Sequence, residues 1–159
     1  MTTSRPFHIE PAGGRAIWHL GARMDFKAVG EDTAGQYWLA EQISDKGYAS
    51  PLHRHSREDE LFIVLDGELT VGVGDRDMAV PAGGVAFAPR GLPHRFRVES
   101  PSARFLVLTT PAGFERWFFE TGTPASDGGT PPPPAGPPDV GALIASLARY
   151  GVELLGPPS

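Results

Sequence analysis

The sequence predicts an all-β fold, an antiparallel barrel or jelly roll, and three observations lead to this prediction. Between residues 14 and 110, short runs of alternating apolar and polar side chains recur. Glycine and proline, 20 and 17 of the 159 residues, interrupt those runs at close intervals. About eight to ten strands joined by turns at this spacing are typical of an antiparallel barrel, which also leaves no exposed strand edges. A chain of this length suffices for one domain with its own core.

The predicted strands follow one another from Arg15 onward. In order, they are RAIWHL, MDFKAV, GQYWLAEQI, ELFIVL, ELTVGV, MAV, VAFAP, HRFRVES and ARFLVLTT. Asp66 and Gly67 stand between ELFIVL and ELTVGV, and this dipeptide favours a tight hairpin because it tolerates a positive φ. Ahead of the first strand, residues 1–13 are predicted to form an arm, in which FHIE (residues 7–10) has the pattern of an edge strand.

After the last predicted strand, the apolar residues change to helical spacing. In residues 111–123, Phe114, Trp117 and Phe118 share one face of a short amphipathic helix. This helix either packs as a cap on the barrel wall or covers the barrel mouth as an aromatic lid. Residues 124–138 contain four consecutive prolines and are predicted to form an extended linker without a catalytic role.

Residues 139–159 are predicted to form a C-terminal helix and a tail. Asp139 is suited to cap the helix, and Gly151 to end it. The helix carries an apolar stripe of four residues, Val140, Leu143, Ile144 and Leu147. The stripe must be buried either on the chain's own barrel or on a partner chain, and the sequence leaves these alternatives open.

Composition argues against several classes of function. The net charge of −5 provides no basic surface for nucleic acid and disfavours binding to an anionic membrane. The chain has no cysteine, so disulfides and thiolate metal sites are excluded. The N-terminal residues lack the apolar stretch of a signal peptide, and no apolar run reaches the roughly 18 residues that a membrane span needs. We therefore expect a cytoplasmic protein with neither a membrane nor a nucleic-acid partner.

Three histidines and one glutamate are candidate metal ligands. His53 and His55 are two residues apart, so on a strand their side chains leave the same face. Glu60 begins the run ELFIVL, and His94 begins HRFRV. Three imidazoles and a carboxylate are typical ligands of one divalent transition metal ion, and Fe, Mn, Ni, Co, Cu and Zn all suit them. Glu60 is either a fixed ligand or, once released from the metal, the catalytic base that takes a proton from a bound enol or hydroxyl.

The residues around these ligands resemble the two motifs of the cupin superfamily. The first motif runs from Gly47 to Gly67 and includes two of the histidines and the glutamate. The second comprises Gly83, Pro89, Gly91 and His94. The family often has Asn where this chain has Val98, which leaves all four ligands in place. The resemblance implies a cupin barrel over residues 14–110 and a single-domain member of the quercetin-dioxygenase-like group. It also implies a homodimer, with swapped N-terminal strands as one arrangement.

A mainly apolar pocket is expected above the metal. Its candidate lining residues are Trp38, Phe62, Phe96 and Val98. Such a pocket suits a flat, apolar, oxygenated small molecule. The charged residues around the first motif, Arg54, Arg57, Glu58 and Asp59, are interpreted as solvated loop charges.

Three functional hypotheses follow. The resemblance implies a metal-dependent dioxygenase that uses dioxygen and acts on an oxygenated aromatic or enolic small molecule. A second hypothesis, also implied by the family, is a metal-dependent isomerase, epimerase or polyketide cyclase that uses no oxygen. A third is a non-enzymatic cupin that binds a small ligand. Fold alone does not choose among them, and oxygen consumption during turnover separates the first from the second.

Overall fold

Two antiparallel β-sheets that face each other form the core of the molecule. The computed structural model describes residues 4–125, 129, 131–134 and 136–159. The strands are β1 Arg15–His19, β2 Ala22–Ala28, β3 Trp38–Asp45, β4 Pro51–His55, β5 Asp59–Asp66, β6 Glu68–Val73, β7 Arg76–Pro81, β8 Val85–Ala88, β9 His94–Val98, β10 Ser102–Thr110, β11 Thr123–Pro124 and β12 Val152–Pro158. The helices are α1 Glu115–Thr121 and α2 Val140–Ala148. The predicted all-β jelly roll with C-terminal helices is confirmed.

The strand order explains how the two sheets are joined. One sheet has seven strands in the order β11-β1-β2-β3-β10-β5-β8, and the other has five in the order β12-β4-β9-β6-β7. Strands β5 and β6 therefore lie in different sheets, and the predicted hairpin at Asp66-Gly67 is wrong. These two residues instead form the corner at which the chain crosses between sheets. Gly67 has a φ of +81°, and a Cβ there would clash with the carbonyl oxygen of Ser102, so glycine is required.

The segments that flank the barrel differ from the sequence prediction in detail. The predicted edge strand at residues 7–10 is absent, and these residues have no regular secondary structure. Helix α1 is shorter than the predicted range 111–123. Strand β11 spans the last residue of the predicted helix range and the first residue of the predicted linker, and it pairs antiparallel with β1. Much of the remaining linker prediction, at residues 126–128, 130 and 135, lies outside the described residues.

The C-terminal segment forms a helix and then a strand where the sequence predicted a tail. The Asp139 side chain caps α2 by accepting a hydrogen bond from the backbone N–H of Ala142 at 3.0 Å. Leu147 is buried against the core, whereas Val140 and Ile144 remain exposed. Strand β12 then pairs antiparallel with β4 at the edge of the five-stranded sheet. Leu143 is partly buried against the same core, so Leu143 and Leu147 of the apolar stripe pack on the chain's own barrel.

The space between the sheets is filled by apolar side chains. The ring of Phe96 packs between those of Phe62 and Phe105, with centroid distances of 5.6 and 5.2 Å. The aromatic residues of α1 continue this core toward β2 and β3, where Phe118 contacts Trp38 at 5.7 Å. In the described part of the chain, neither helix has the length and hydropathy required to cross a membrane.

Candidate metal centre

Strands from both sheets bring the four predicted ligands together. Strand β4 carries His53 and His55, and β9 carries His94, which is paired directly with His53 across the five-stranded sheet. Glu60 comes from β5 in the opposite sheet. One ligand atom from each residue can be chosen so that all four lie within 4.8 Å of one another. The residues that the sequence suggested as ligands therefore converge between the sheets.

The shortest contacts in the cluster involve the Glu60 carboxylate. Its Oε2 lies 2.7 Å from Nε2 of His94 and 3.7 Å from Nε2 of His55. The ring of His53 lies 4.3 Å from that of His94, centroid to centroid. Among the four ligands, only His53 is half-buried, and the other three are buried. His53 is therefore the ligand nearest to solvent.

Each histidine is oriented by a hydrogen bond on its far nitrogen. Nδ1 of His53 donates to the carbonyl of Pro51 at 2.7 Å, and Nδ1 of His94 donates to the carbonyl of Leu92 at 3.2 Å. Because a carbonyl oxygen can only accept, these nitrogens must carry the hydrogen. The Nε2 atom of a neutral ring then has a free lone pair, as a metal ligand requires. Nε2 of His94 instead donates to the Glu60 carboxylate at 2.7 Å, so His94 must lose this second proton before it can bind metal.

The corresponding partner of His55 is Glu58, whose Oε2 lies 3.2 Å from Nδ1 of His55. The interpretation of Glu58 as a solvated loop charge is wrong, because its side chain is buried. Its position three residues after His55, in the turn that leads to β5, brings the carboxylate back against the ring. The interpretation suits Arg57, which is exposed between β4 and β5, whereas Arg54 lies on β4 and pairs with Glu153 on the neighbouring strand.

The electrostatics of the cluster favour the metal-binding protonation state at Glu60 and His53 but oppose it at His94. Burial alone would raise the pKa of Glu60, but the hydrogen bond with His94 and the charges of the imidazoles outweigh burial and lower that pKa to about 2. Burial, followed by the charge of His94, lowers the pKa of His53 to about 4. Burial acts to lower the pKa of His94 too, yet the hydrogen bond and charge of Glu60 raise it. At neutral pH, Glu60 is therefore ionised and His53 neutral.

The residues present fit a divalent transition metal. Nε2 of His55 is buried without a hydrogen-bond partner, although such an atom ordinarily requires one. Atoms that bind one ion at about 2.1 Å lie about 3 to 4 Å apart, which is close to the separations in this cluster. Nitrogen and oxygen ligands in this ratio suit the first-row divalent metals from Mn to Zn.

The predicted pocket residues lie at different depths from the ligands. Phe62 is adjacent to His94, with ring centroids 6.5 Å apart, and Phe96 packs behind Phe62. Val98 is four residues along β9 from His94, about 13 Å away, so it lies in a more distant layer. Trp38 is buried on β3, which is two strands away from Glu60 on β5, with β10 between them.

Helix α1 supplies a contact to the site that the pocket prediction omitted. Phe114, at its N-terminus, meets the ring of His55 edge-on, with centroids 4.9 Å apart. Trp117, on the same helix, contacts the ring of His19 on β1 at 4.7 Å, so the helix is anchored on the barrel. The cap and lid interpretations are therefore compatible, because the same aromatic face packs on the barrel and covers one ligand.

Known proteins resemble this chain in the segment that contains the four ligands. A family model described as "Cupin domain" matches residues 41–110. Quercetin 2,3-dioxygenase of Bacillus subtilis is 29% identical over 105 residues, which are 66% of this chain and 31% of that enzyme. The chain thus spans about a third of the dioxygenase. An uncharacterized protein of Streptomyces coelicolor is 30% identical over 107 residues, 67% of this chain and 96% of that one.

Solved structures resemble the chain in fold. An RmlC-like cupin from Shewanella frigidimarina matches with a TM-score of 0.60 at 18% identity, over 72% of this chain and 99% of that one. At this identity, the likeness concerns the fold and not the substrate.

Proposed function

The chain belongs to the cupin superfamily, and on this premise we propose that it is a metal-dependent oxidoreductase of the dioxygenase type. Its ligands are His53, His55, Glu60 and His94, and its substrate is an oxygenated aromatic or enolic small molecule. The observation that carries the proposal is the convergence of four ligand atoms around the unpartnered Nε2 of His55. The similarity to a quercetin dioxygenase supports oxygen chemistry over the other reactions of the fold.

A divalent metal bound here would polarise a substrate oxygen and provide open positions for dioxygen. The protein itself contributes the acid–base chemistry. While Glu60 contacts the imidazoles, its pKa of about 2 makes it a ligand and a very weak base. Glu60 therefore acts as a base only after it moves away from them, because loss of the hydrogen bond with His94 allows burial to raise its pKa. We propose that it then takes the proton of the substrate hydroxyl.

Aromatic side chains shield two of the ligands from water. Phe62 covers the His94 side of the cluster, and Phe114 covers the His55 side. An apolar enclosure of this kind strengthens electrostatic interactions with the reacting atoms and protects reactive species from solvent. It also favours a substrate whose surface is largely apolar apart from its reacting oxygens.

Metal analysis followed by oxygen uptake tests the proposal. The purified protein is analysed for metal and then reconstituted separately with Mn, Fe, Co, Ni, Cu and Zn. Oxygen uptake is then measured against a panel of flavonols and small diketones. We expect one ion per chain in the wild type, none in His94→Ala, and a full complement in His8→Ala, which removes an exposed histidine far from the site.

Each outcome has a distinct consequence. Stoichiometric metal with metal-dependent oxygen uptake supports the proposal. Absence of stoichiometric metal under all six conditions contradicts it. Turnover without oxygen uptake assigns the isomerase, epimerase or cyclase function instead. A ligand-dependent rise in Tm without chemistry assigns a binding protein.

A further inference from the structure

Three buried side-chain polar atoms have no hydrogen-bond partner in the described part of the chain. They are Nε1 of Trp38, Nε2 of His55 and Oγ1 of Thr109. The proposed metal accounts for the His55 nitrogen. Since leaving a buried N–H or hydroxyl unpaired destabilises a protein by about 1 to 3 kcal/mol, the other two atoms require an explanation.

Both remaining atoms belong to residues in the same row as Glu60. In the seven-stranded sheet, Trp38 on β3 is directly opposite Thr109 on β10, and Thr109 is directly opposite Glu60 on β5. All three side chains are buried on the inner face, Thr109 being 0% and Trp38 1% exposed. Directly opposite residues have Cβ atoms about 4.5 to 5.5 Å apart. The hydroxyl of Thr109 is therefore next to the metal ligand, and the indole is one strand further away.

The chemistry of the row defines what it can bind. An indole N–H only donates a hydrogen bond, while a threonine hydroxyl donates or accepts one. No lysine or arginine is among the buried residues of the described chain, so nothing there would neutralise a second anionic group. The row thus suits an uncharged oxygen, a carbonyl or a hydroxyl.

We propose that Thr109 and Trp38 form an oxygen-binding subsite beside the metal centre. This inference rests on the proposed function, and it narrows the substrate class to neutral hydroxyketones and related compounds with two nearby oxygens. One oxygen binds at the metal, and the second accepts hydrogen bonds from the Thr109 hydroxyl and the Trp38 indole. The subsite orients the substrate, and its two residues are positioning residues.

The test measures binding of maltol, a small aromatic hydroxyketone, to the metal-loaded protein by calorimetry. Thr109→Val removes a hydroxyl with little change of shape, and Trp38→Phe removes the indole N–H together with part of the ring system. We expect each to weaken binding about 3- to 10-fold, while metal content stays at one ion per chain. Thr110→Val is the matched control, because its hydroxyl donates to the backbone carbonyl of Gln36 and lies outside the row. That control should leave maltol affinity unchanged.

Two further measurements distinguish the subsite from a purely structural role. Thr109→Val should leave the Tm of the ligand-free protein unchanged or raise it, because it removes an unpaired buried hydroxyl. In nitrogen–proton NMR spectra, the chain has three indole signals, and maltol should shift the one that is lost in Trp38→Phe. Unchanged affinity in both Thr109→Val and Trp38→Phe would overturn the subsite while leaving the metal site intact. Failure of the metal-loaded wild type to bind maltol would also overturn it, whereas failure of the proposed function is read from metal content and oxygen uptake.

Discussion

Glu58 is buried behind His55, and its replacement by glutamine measures what its negative charge contributes to the metal centre. Oε2 of Glu58 lies 3.2 Å from Nδ1 of His55, so an amide oxygen in Glu58→Gln can still accept the same hydrogen bond. The variant thus keeps the shape of the site and the orientation of the ring. What it removes is the anion that polarises the imidazole and makes its Nε2 a better electron donor.

The size of the effect follows from the role of such partners in metal sites. Loss of an outer hydrogen-bond partner typically lowers metal affinity 10- to 100-fold. This corresponds to about 1.4 to 2.7 kcal/mol of binding free energy. At a fixed metal concentration above Kd, the stabilisation by metal falls by the same amount. In a domain of this size, the metal-induced rise in Tm should be smaller by roughly 3 to 10 °C.

Thermal unfolding with and without metal, together with competition against a chelator of known affinity, provides the measurement. For each protein, the Tm with metal is compared with the Tm of the same protein without metal, because replacing the buried Glu58 also changes the stability of the metal-free protein. Glu153→Gln is the control, since it neutralises an exposed carboxylate that pairs with Arg54 on the neighbouring strand. It should leave metal affinity unchanged. Equal metal affinity in Glu58→Gln and the wild type would refute the assigned role of Glu58.

Three other predictions concern the metal, the pH dependence and the core. His94→Ala should abolish the stabilisation by metal, which is about 2.7 kcal/mol for the wild type at a metal concentration of 100 times Kd, and with it the metal-dependent rise in Tm; differential scanning fluorimetry with added metal checks this. Burial lowers the pKa of His19 to about 4, so between pH 6.5 and 4 the unfolded chain binds a proton that the native chain does not. The free energy of unfolding should therefore decrease as the pH falls through this range, by up to about 3 kcal/mol, and urea titrations should show a smaller decrease in His19→Gln. Leu147→Ala should lower the free energy of unfolding by about 2 to 5 kcal/mol, because Leu147 is the buried residue of α2; an unchanged urea midpoint would mean that α2 does not pack on the barrel.

The ligands could be predicted because their placement depends on local periodicity. His53 and His55 share a face on any strand, whatever strands lie beside it. Only the pairing of their strand with β9 depended on residues distant in the sequence. Glu58 could not be recognised in the same way. It is one of four charged residues in a short segment, and only the turn between β4 and β5 determines which of them points inward. Whether the Glu58 carboxylate is buried therefore depends on the tertiary structure and not on the local sequence pattern.

Strand pairing was harder to predict than strand position. The Asp66-Gly67 prediction identified a backbone conformation correctly, since Gly67 has positive φ, but a hairpin and a corner between sheets both require it. Strand β12 was missed because its sequence, VELLGPP, contains a glycine and two prolines. A proline cannot donate a ladder hydrogen bond, but an edge strand tolerates this on its free side. β12 occupies such an edge.

The position of β12 links the C-terminal segment to the metal centre. Val152 and Leu154 are in register with His55 and His53, so β12 supports the strand that carries two of the four ligands. Without it, β4 would be the edge strand of the five-stranded sheet and would be free to fray. The matched family segment, residues 41–110, contains all four ligands but not this support. The geometry of the site in this protein therefore depends on residues outside the segment by which its family is identified.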